Sequence, residues 1–339
     1  AGPIERADSL IPQFKREHTF DFKRVSDGLK LMAWGFFKKL VIADRVSILV
    51  NTVYNNPHEY NGISLMIATV FFAFQIYCDF SGYSDIAIGA AQVMGFKLMD
   101  NFNRPYFSKS ISEFWKRWHI SLSSWFKEYL YITLGGNRVP APRMYFNLFF
   151  TFLVSGLWHG ANWTFVIWGA LNGFYLIFSI LTEKYRLAAE KFLMLSRNPL
   201  IYKYYKVGVT FCLTCFAWIF FRSNNINDAI YVITHIFGGT DNLNVINIFG
   251  SRSMNDFLQN LYQFKLYIER LGLTKWEFVI AVLSIIFMEF VHLIQRHGQI
   301  RHMLSEKPLA VRWGVYLAIL LAIANLSMGQ KTPFIYFQF

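Results

Sequence analysis

The sequence predicts an all-α polytopic membrane protein, and three observations lead to this fold class. The 339 residues are 54% hydrophobic and 16% charged, whereas about a quarter of the residues are charged in a typical soluble domain. Several apolar runs are long enough to cross a bilayer, which takes ~20 residues. Lys and Arg outnumber Asp and Glu by 33 to 21. Many of these basic residues lie between the apolar runs, as is typical of cytoplasmic loops.

Two charged segments precede the first long apolar run. Residues 1–27 are polar, which is typical of a cytoplasmic loop or a surface helix. Residues 29–54 are amphipathic and carry four clustered ionisable side chains: Lys38, Lys39, Asp44 and Arg45. Charges at membrane depth are costly. We therefore expect this segment to pack inside a helix bundle or to lie at the membrane interface.

The apolar run over residues 63–96 is interrupted by the sequence CDFSGYSD, which carries Asp79 and Asp85. The interruption predicts two helices, or one broken helix, rather than one straight span. On a continuous helix, residues six positions apart lie about 240° round from each other, so these carboxylates could not act as a pair there. We expect them to have a structural role.

The rest of the chain alternates interfacial and apolar segments. Residues 100–143 are basic and rich in Trp and Tyr, a mixture that suits the membrane interface. Residues 144–181 are nearly twice as long as one span of ~20 residues. The sequence SGLWHGANW in their middle predicts two helices that meet near His159, within the membrane. Further spans are predicted at residues 207–221, 276–294 and 313–328, with a structured loop outside the membrane at residues 223–274.

A buried histidine is the leading candidate for chemistry, because neutral imidazole is well suited to general-base work near neutral pH. His159 fits this description, and a hydroxyl needs such a base to attack a thioester or an ester. The alternative for His159 is helix packing through a hydrogen bond. For His119 the pattern favours an exposed interfacial histidine. The two histidines are 40 positions apart with no further ligand motif nearby, so no metal site is predicted.

Four sequence blocks carry a resemblance to a known family. They are CDFSGYSDIAIG, the stretch from NFNRPYF to LGGNR, SGLWHGANWTFVIWGALNG and the terminal PFIYFQF. With these blocks in this order, the chain resembles the later two-thirds of the bacterial membrane-bound O-acyltransferases of the alginate O-acetylase type. The resemblance implies a ring of transmembrane helices around a thinned central funnel. It also implies a single membrane domain over residues 1–339, with the N-terminal helices of the family absent from this chain.

The same resemblance implies roles for individual residues. His159 matches the buried catalytic histidine of the family, and His119 matches its second characteristic histidine. Tyr336 matches a tail tyrosine that is proposed, in some members, to take the acyl group before it passes to an extracytoplasmic partner. Under this interpretation His159 would be the base, and His119 would assist the donor or the transition state.

The predicted function is transfer of an acetyl group from a cytoplasmic donor, acetyl-CoA, across the membrane for O-acetylation of a cell-envelope or extracellular polysaccharide. The basic segment that would suit this donor holds Arg117, Lys127 and Arg138. No tightly bound cofactor and no nucleic-acid partner are expected. The expected partners are membrane lipids, the polysaccharide acceptor and a periplasmic or other extracytoplasmic acetyltransferase. The expected location is the bacterial cytoplasmic (inner) membrane, as a multi-pass protein.

Two alternative functions remain open on the sequence. D-alanyl transfer to teichoic acid would use a carrier-protein thioester as donor, so the donor supply distinguishes it from acetyl transfer. A transporter or polymer-export subunit would also be polytopic, with broken helices and acidic residues. The sequence has no internal repeat, and it clusters His and Trp rather than ion-binding carboxylates, which favours the enzyme.

Overall fold

The computed structural model describes the chain except for residues 1, 193, 195–196, 239–252, 330–332 and 336–339. The described residues are helical and contain no strand. Their contacts divide the chain into two compact units. The first unit comprises residues 1–17 and 98–226, and the second comprises residues 18–97 and 227–338. A single membrane domain over residues 1–339 stays a prediction.

The α-helices of the described residues follow one another along the chain with short connections. In order they are α1 Ala7–Phe14, α2 Phe22–Phe36, α3 Asp44–Asn55, α4 Gly62–Met94, α5 Ile111–Trp115, α6 Ile120–Phe126, α7 Ala141–His159, α8 Trp163–Leu181, α9 Glu183–Phe192, α10 Pro199–Arg222, α11 Ile226–His235, α12 Met254–Arg270, α13 Lys275–Ile294, α14 Ile300–Ser305 and α15 Leu309–Leu326. Between α2 and α3 the chain stays helical through a π-helical segment, Phe37–Ala43.

Five described helices are long and apolar enough to cross a membrane: α4, α8, α10, α13 with the short turn after it, and α15. The last three confirm the spans predicted at residues 207–221, 276–294 and 313–328. Within the predicted extramembrane loop at 223–274 lie α11 and α12, and residues 239–252 of that loop are outside the described part.

The prediction of a broken helix at CDFSGYSD is wrong, because α4 is one continuous helix of 33 residues. Both of its carboxylates are neutralised by lysines of the π-helical segment. Lys39 Nζ lies 2.7 Å from Asp79 Oδ1, and Lys38 Nζ lies 2.9 Å from Asp85 Oδ2. Paired charges are far less costly to bury than isolated ones, so the helix has no need to break.

Glycines let α2 approach α4 in the second unit. A β-carbon on Gly28 would lie 2.7 Å from the carbonyl oxygen of Gly89, and one on Gly35 would lie 2.6 Å from that of Gly82. Gly28 faces Gly89 and Gly35 faces Gly82, so the residue numbers rise along α2 as they fall along α4. The two helices are therefore antiparallel. The charged segment at residues 29–54 therefore packs inside a bundle, which is one of its two predicted placements.

In the first unit, α7 and α8 form the helical hairpin predicted for residues 144–181. Helix α7 ends just before the short sequence Gly160–Asn162, and α8 begins just after it. Gly156 and Gly169 face each other across the hairpin, and a β-carbon on either would clash with backbone of the opposite helix. Small residues of this kind allow close packing of membrane helices. The hairpin places His159 at the last position of α7.

Candidate active site

His119 is held in a strained backbone conformation at the start of α6. Its φ of 43° and ψ of 55° are left-handed, which is uncommon for residues other than glycine. The residue is only 5% exposed, so the expectation of an exposed interfacial histidine is wrong. Such strain persists only where surrounding contacts enforce it, and it clusters at functional sites.

Asn101 is the residue that orients His119. Its side-chain Oδ1 lies 3.1 Å from His119 Nδ1 and accepts hydrogen bonds from the backbone N–H and the hydroxyl of Ser121, at 3.2 and 2.9 Å. Because a backbone N–H can only donate, the atom at this position must be the amide oxygen. Nδ1 of a neutral His119 must then carry the proton, which leaves the lone pair on Nε2.

No sequence pattern marks Asn101 as a functional residue. It lies 18 positions before His119, in a loop without regular periodicity, and no local pattern links the two. The contact depends on a turn that also brings the backbone N–H of Ile120 to the carbonyl of Asn101, at 3.0 Å.

Burial lowers the pKa of His119 well below its ordinary value, and electrostatic interaction with His159 lowers that pKa further. His119 is therefore neutral near pH 7. Both histidines belong to the first unit.

His159 sits among aromatic rings contributed by two helices of the first unit. It is 8% exposed. The edges of Trp168 of α8 and Phe221 of α10 meet its ring, with centroid distances of 5.1 and 5.3 Å. Gly160 is required after it, because a β-carbon there would lie 2.7 Å from the ring of Phe165. The surroundings of His159 are dominated by apolar rings.

A chain of tryptophans connects the segment of His119 to His159. Trp118, next to His119, lies 5.2 Å from Trp218 between ring centroids. Trp218 stacks on Trp168 at 5.8 Å, and Trp168 contacts His159. All three indoles are at most 2% exposed. This aromatic cluster fixes the relative position of both histidine-bearing segments through large buried surfaces.

The three basic residues expected at a donor site differ in their surroundings. Arg117 donates to Glu113 across one helical turn, at 2.6 Å, and is partly exposed. Lys127 and Arg138 are exposed. Arg138 follows the Gly135–Gly136 turn, where both glycines have positive φ, of 100° and 55°. A glycine turn therefore precedes Arg138, and whether these basic residues bind a donor stays a prediction.

Tyr336 lies outside the described residues. Within the described ranges, no three His, Cys, Asp or Glu side chains come together in a way that could hold a metal ion.

The described fold and the geometry of its histidines define a class: a multi-pass helical membrane protein with two buried histidines whose segments are joined by an aromatic cluster. Comparison with known proteins agrees with this class. A family model described as the membrane-bound O-acyltransferase family matches residues 15–221. This is more than half of the chain, and the chain belongs to that family.

Three relatives illustrate the similarity. A probable alginate O-acetylase of Pseudomonas putida is 35% identical over 355 residues, covering 100% of this chain and 66% of the relative. A probable alginate O-acetylase of Pseudomonas syringae pv. tomato is 44% identical over 230 residues, covering 68% and 42%. A peptidoglycan O-acetyltransferase of Helicobacter pylori is 38% identical over 244 residues, covering 70% and 44%. The chain thus spans less than two thirds of the length of these relatives.

Proposed function

We propose that this chain is the catalytic part of a membrane-bound O-acetyltransferase that serves O-acetylation of a cell-envelope or extracellular polysaccharide. The observation that carries the proposal is the pair of buried histidines, one oriented by Asn101 and the other enclosed by aromatic rings. Family membership and the names of the relatives support the reaction class.

In the proposed reaction, a hydroxyl oxygen attacks the carbonyl carbon of a thioester, and the carbon–sulfur bond breaks. His159 takes the hydroxyl proton as general base, and the departing thiolate receives a proton. His119 assists through its lone-pair-bearing Nε2 or by stabilising charge near His159. The surrounding tryptophans and phenylalanines limit water at the reacting carbon, so hydrolysis of the thioester is disfavoured.

The proposed donor is acetyl-CoA from the cytoplasm, without a tightly bound cofactor. Its phosphates would be recognised by Arg117, Lys127 and Arg138, because guanidinium and ammonium groups form charge-assisted hydrogen bonds to phosphate. Tyr336 is proposed as the hydroxyl that first receives the acetyl group. An extracytoplasmic acetyltransferase would then pass the group to the polysaccharide. The proposed location is the bacterial inner membrane.

The main test compares transfer from labelled acetyl-CoA in membranes that contain the full-length protein and its acceptor system. His159→Ala should reduce transfer roughly 10²–10⁴-fold, which is the usual contribution of a general base. His292→Ala is the matched control, since His292 is also buried, at 3% exposure, but lies in α13. Transfer that is equal in wild type and His159→Ala would rule out His159 as the base.

Donor choice separates the proposal from D-alanyl transfer. Membranes supplied with D-alanyl carrier protein in place of acetyl-CoA should show no labelled product if the proposal holds. Labelling from the carrier alone would favour the D-alanyl alternative. A transporter or export subunit would give transfer from neither donor, and the His159 variant would then be without effect on label.

The Tyr336→Phe variant tests whether Tyr336 receives the acetyl group, independently of the role of His159 as base. The phenyl ring keeps the bulk of the side chain and removes only the hydroxyl. If Tyr336 carries the acetyl group, this variant loses label on the protein, and consumption of acetyl-CoA falls with it. Undiminished label on the Tyr336→Phe protein would place the acceptor hydroxyl elsewhere.

A further inference from the structure

The last described residues of the chain are bound to α4 by a buried hydrogen bond. The backbone N–H of Ile335 donates to Asp79 Oδ2 at 2.6 Å. Both residues are 3% exposed. A hydrogen bond to a charged acceptor is stronger than one between neutral groups, so this contact holds the backbone of the tail at one point of the helix.

Aromatic packing supports the same attachment one residue earlier. Phe334 stacks on Tyr83 with ring centroids 4.8 Å apart, and it meets the edge of Phe80 at 5.9 Å. Tyr83 and Phe80 follow Asp79 on α4, within about one turn of it. The tail is thus fixed by a directional hydrogen bond and by two ring contacts in the second unit.

The second carboxylate oxygen of Asp79 is held by a lysine of the π-helical segment. Its Oδ1 lies 2.7 Å from Lys39 Nζ, and the same ammonium lies 2.8 Å from Asp44 Oδ1. Asp44, Lys39 and Asp79 form a row of alternating charge that ends at the amide of Ile335; both carboxylates are buried, and Lys39 is partly exposed. Each charge in the row has a partner, so the carboxylate can stay ionised and accept from the tail.

We infer that Asp79 is a positioning residue, which anchors the described end of the C-terminal segment, Phe334 and Ile335, to α4 for the proposed relay step. The functional part of this inference rests on the proposed function, in which Tyr336 receives the acetyl group. An apolar tail could pack through Phe334 alone. A carboxylate inside a membrane span is costly. Its hydrogen bond to the amide of Ile335 fixes the orientation of the tail backbone, which ring packing alone does not fix.

The anchor is tested by hydrogen exchange of the C-terminal peptide, measured by mass spectrometry on the full-length protein in lipid nanodiscs. Asp79→Ala should increase exchange of this peptide roughly 10-fold or more, because a charged hydrogen bond is lost. Asp85→Ala is the matched control: it removes a carboxylate from the same helix, where the ion pair is with Lys38, and should leave tail exchange unchanged. Equal tail protection in wild type and Asp79→Ala would overturn the anchor.

Ile335→Pro provides a second route if Asp79→Ala fails to insert. This change removes the donated hydrogen and leaves the charged row intact. It should increase exchange of the tail to a similar extent, and adding Asp79→Ala to it should have little further effect on exchange. A tail that stays protected in Ile335→Pro would contradict the inference.

Acetyl transfer is measured on the same variants. Loss of label on Tyr336 in Asp79→Ala, with donor binding retained, supports positioning. If wild type transfers no acetyl group but the tail is freed in Asp79→Ala, the proposed function fails and the anchor stands. If wild type transfers the group and Asp79→Ala frees the tail without reducing label, the positioning role is overturned.

Discussion

Gly35 of α2 and Gly82 of α4 approach so closely that a β-carbon on Gly82 would lie 2.8 Å from the carbonyl oxygen of Gly35. The close approach is repeated at Gly28 and Gly89, seven residues away in each helix. It brings the π-helical segment after α2 against α4, where its two lysines meet their carboxylates. The ion pairs therefore depend on the absence of side chains at the crossing.

A side chain at this crossing should weaken the second unit. We expect Gly82→Ala to destabilise the protein by about 1–3 kcal/mol, the usual cost of overpacking, because backbone must move to admit the methyl group. Gly208→Ala is the control, since no described atom lies within 4 Å of a β-carbon there. The measurement is the fraction of monodisperse protein that remains after heating in detergent. Equal heat resistance of both variants would contradict the prediction.

Loss of Asn101 should impair the proposed reaction. Asn101→Ala removes the acceptor for His119 Nδ1 and for Ser121. A buried hydrogen bond left unmade costs about 1–3 kcal/mol; because the loss misorients His119 in the transition state, we expect acetyl transfer to fall roughly 5- to 150-fold. Asn172→Ala is the control, because this buried asparagine bonds to Trp115 and Trp168 instead. The two variants should differ in transfer at matched expression, and similar transfer would argue against orientation by Asn101.

Protonation of His119 should make stability depend on pH. Burial lowers its pKa in the folded protein, whereas an unfolded histidine titrates near its ordinary value of about 6.5. Below that value the unfolded state binds a proton that the folded state does not, so stability falls as pH falls towards the folded pKa. Above about 6.5, neither state binds the proton, and this contribution to stability is fully present.

The measurement is the apparent unfolding temperature at about pH 7.5 and about pH 5.5. His119→Gln cannot titrate in this range, and its amide can still donate to Asn101. We expect a smaller drop in unfolding temperature for this variant than for wild type. A drop of the same size in both would show that the pH dependence comes from other groups.

The Gly135–Gly136 turn offers a test of the donor site. Asn147 of α7 donates through Nδ2 to the carbonyl oxygens of Leu134 and Gly136, at 3.0 and 3.2 Å. Asn147→Ala should loosen the turn that precedes Arg138. We expect KM for acetyl-CoA to rise several-fold with little change in kcat. This is the usual result when a lost interaction had stabilised the bound substrate and the transition state equally.

Thr133→Val is the matched control for this test. The Thr133 hydroxyl is exposed and bonds within its own helical turn, to the carbonyls of Tyr129 and Leu130. The substitution should leave KM for acetyl-CoA unchanged. A change in kcat alone for Asn147→Ala would place the effect at the histidines and not at the turn.

Features set by neighbouring residues could be predicted from the sequence, and features set by distant residues could not. The α7–α8 hairpin was predicted because Gly160 punctuates an apolar stretch too long for one span. The unbroken α4 was missed because the lysines that neutralise Asp79 and Asp85 lie 40 and 47 positions earlier, separations that hydrophobic periodicity does not detect.

The same reason explains the outcome for the site. His159 was selected correctly as a buried histidine because its apolar surroundings are local in sequence. His119 was predicted to be exposed because basic residues flank it, whereas in the structure it is buried and bonded to Asn101, 18 positions earlier. Roles for Tyr336 and the basic residues stay predictions.

The two ion pairs between α4 and the π-helical segment have a consequence for biosynthesis. Ribosomes deliver Lys38 and Lys39 before Asp79 and Asp85, so the cations are already at the membrane when α4 leaves the translocon. Entry of α4 into lipid with two bare carboxylates would be costly, whereas entry together with the π-helical segment gives each carboxylate a lysine partner. Insertion of α4 with the preceding helical segment as one unit, rather than span by span, is therefore the favoured route of assembly.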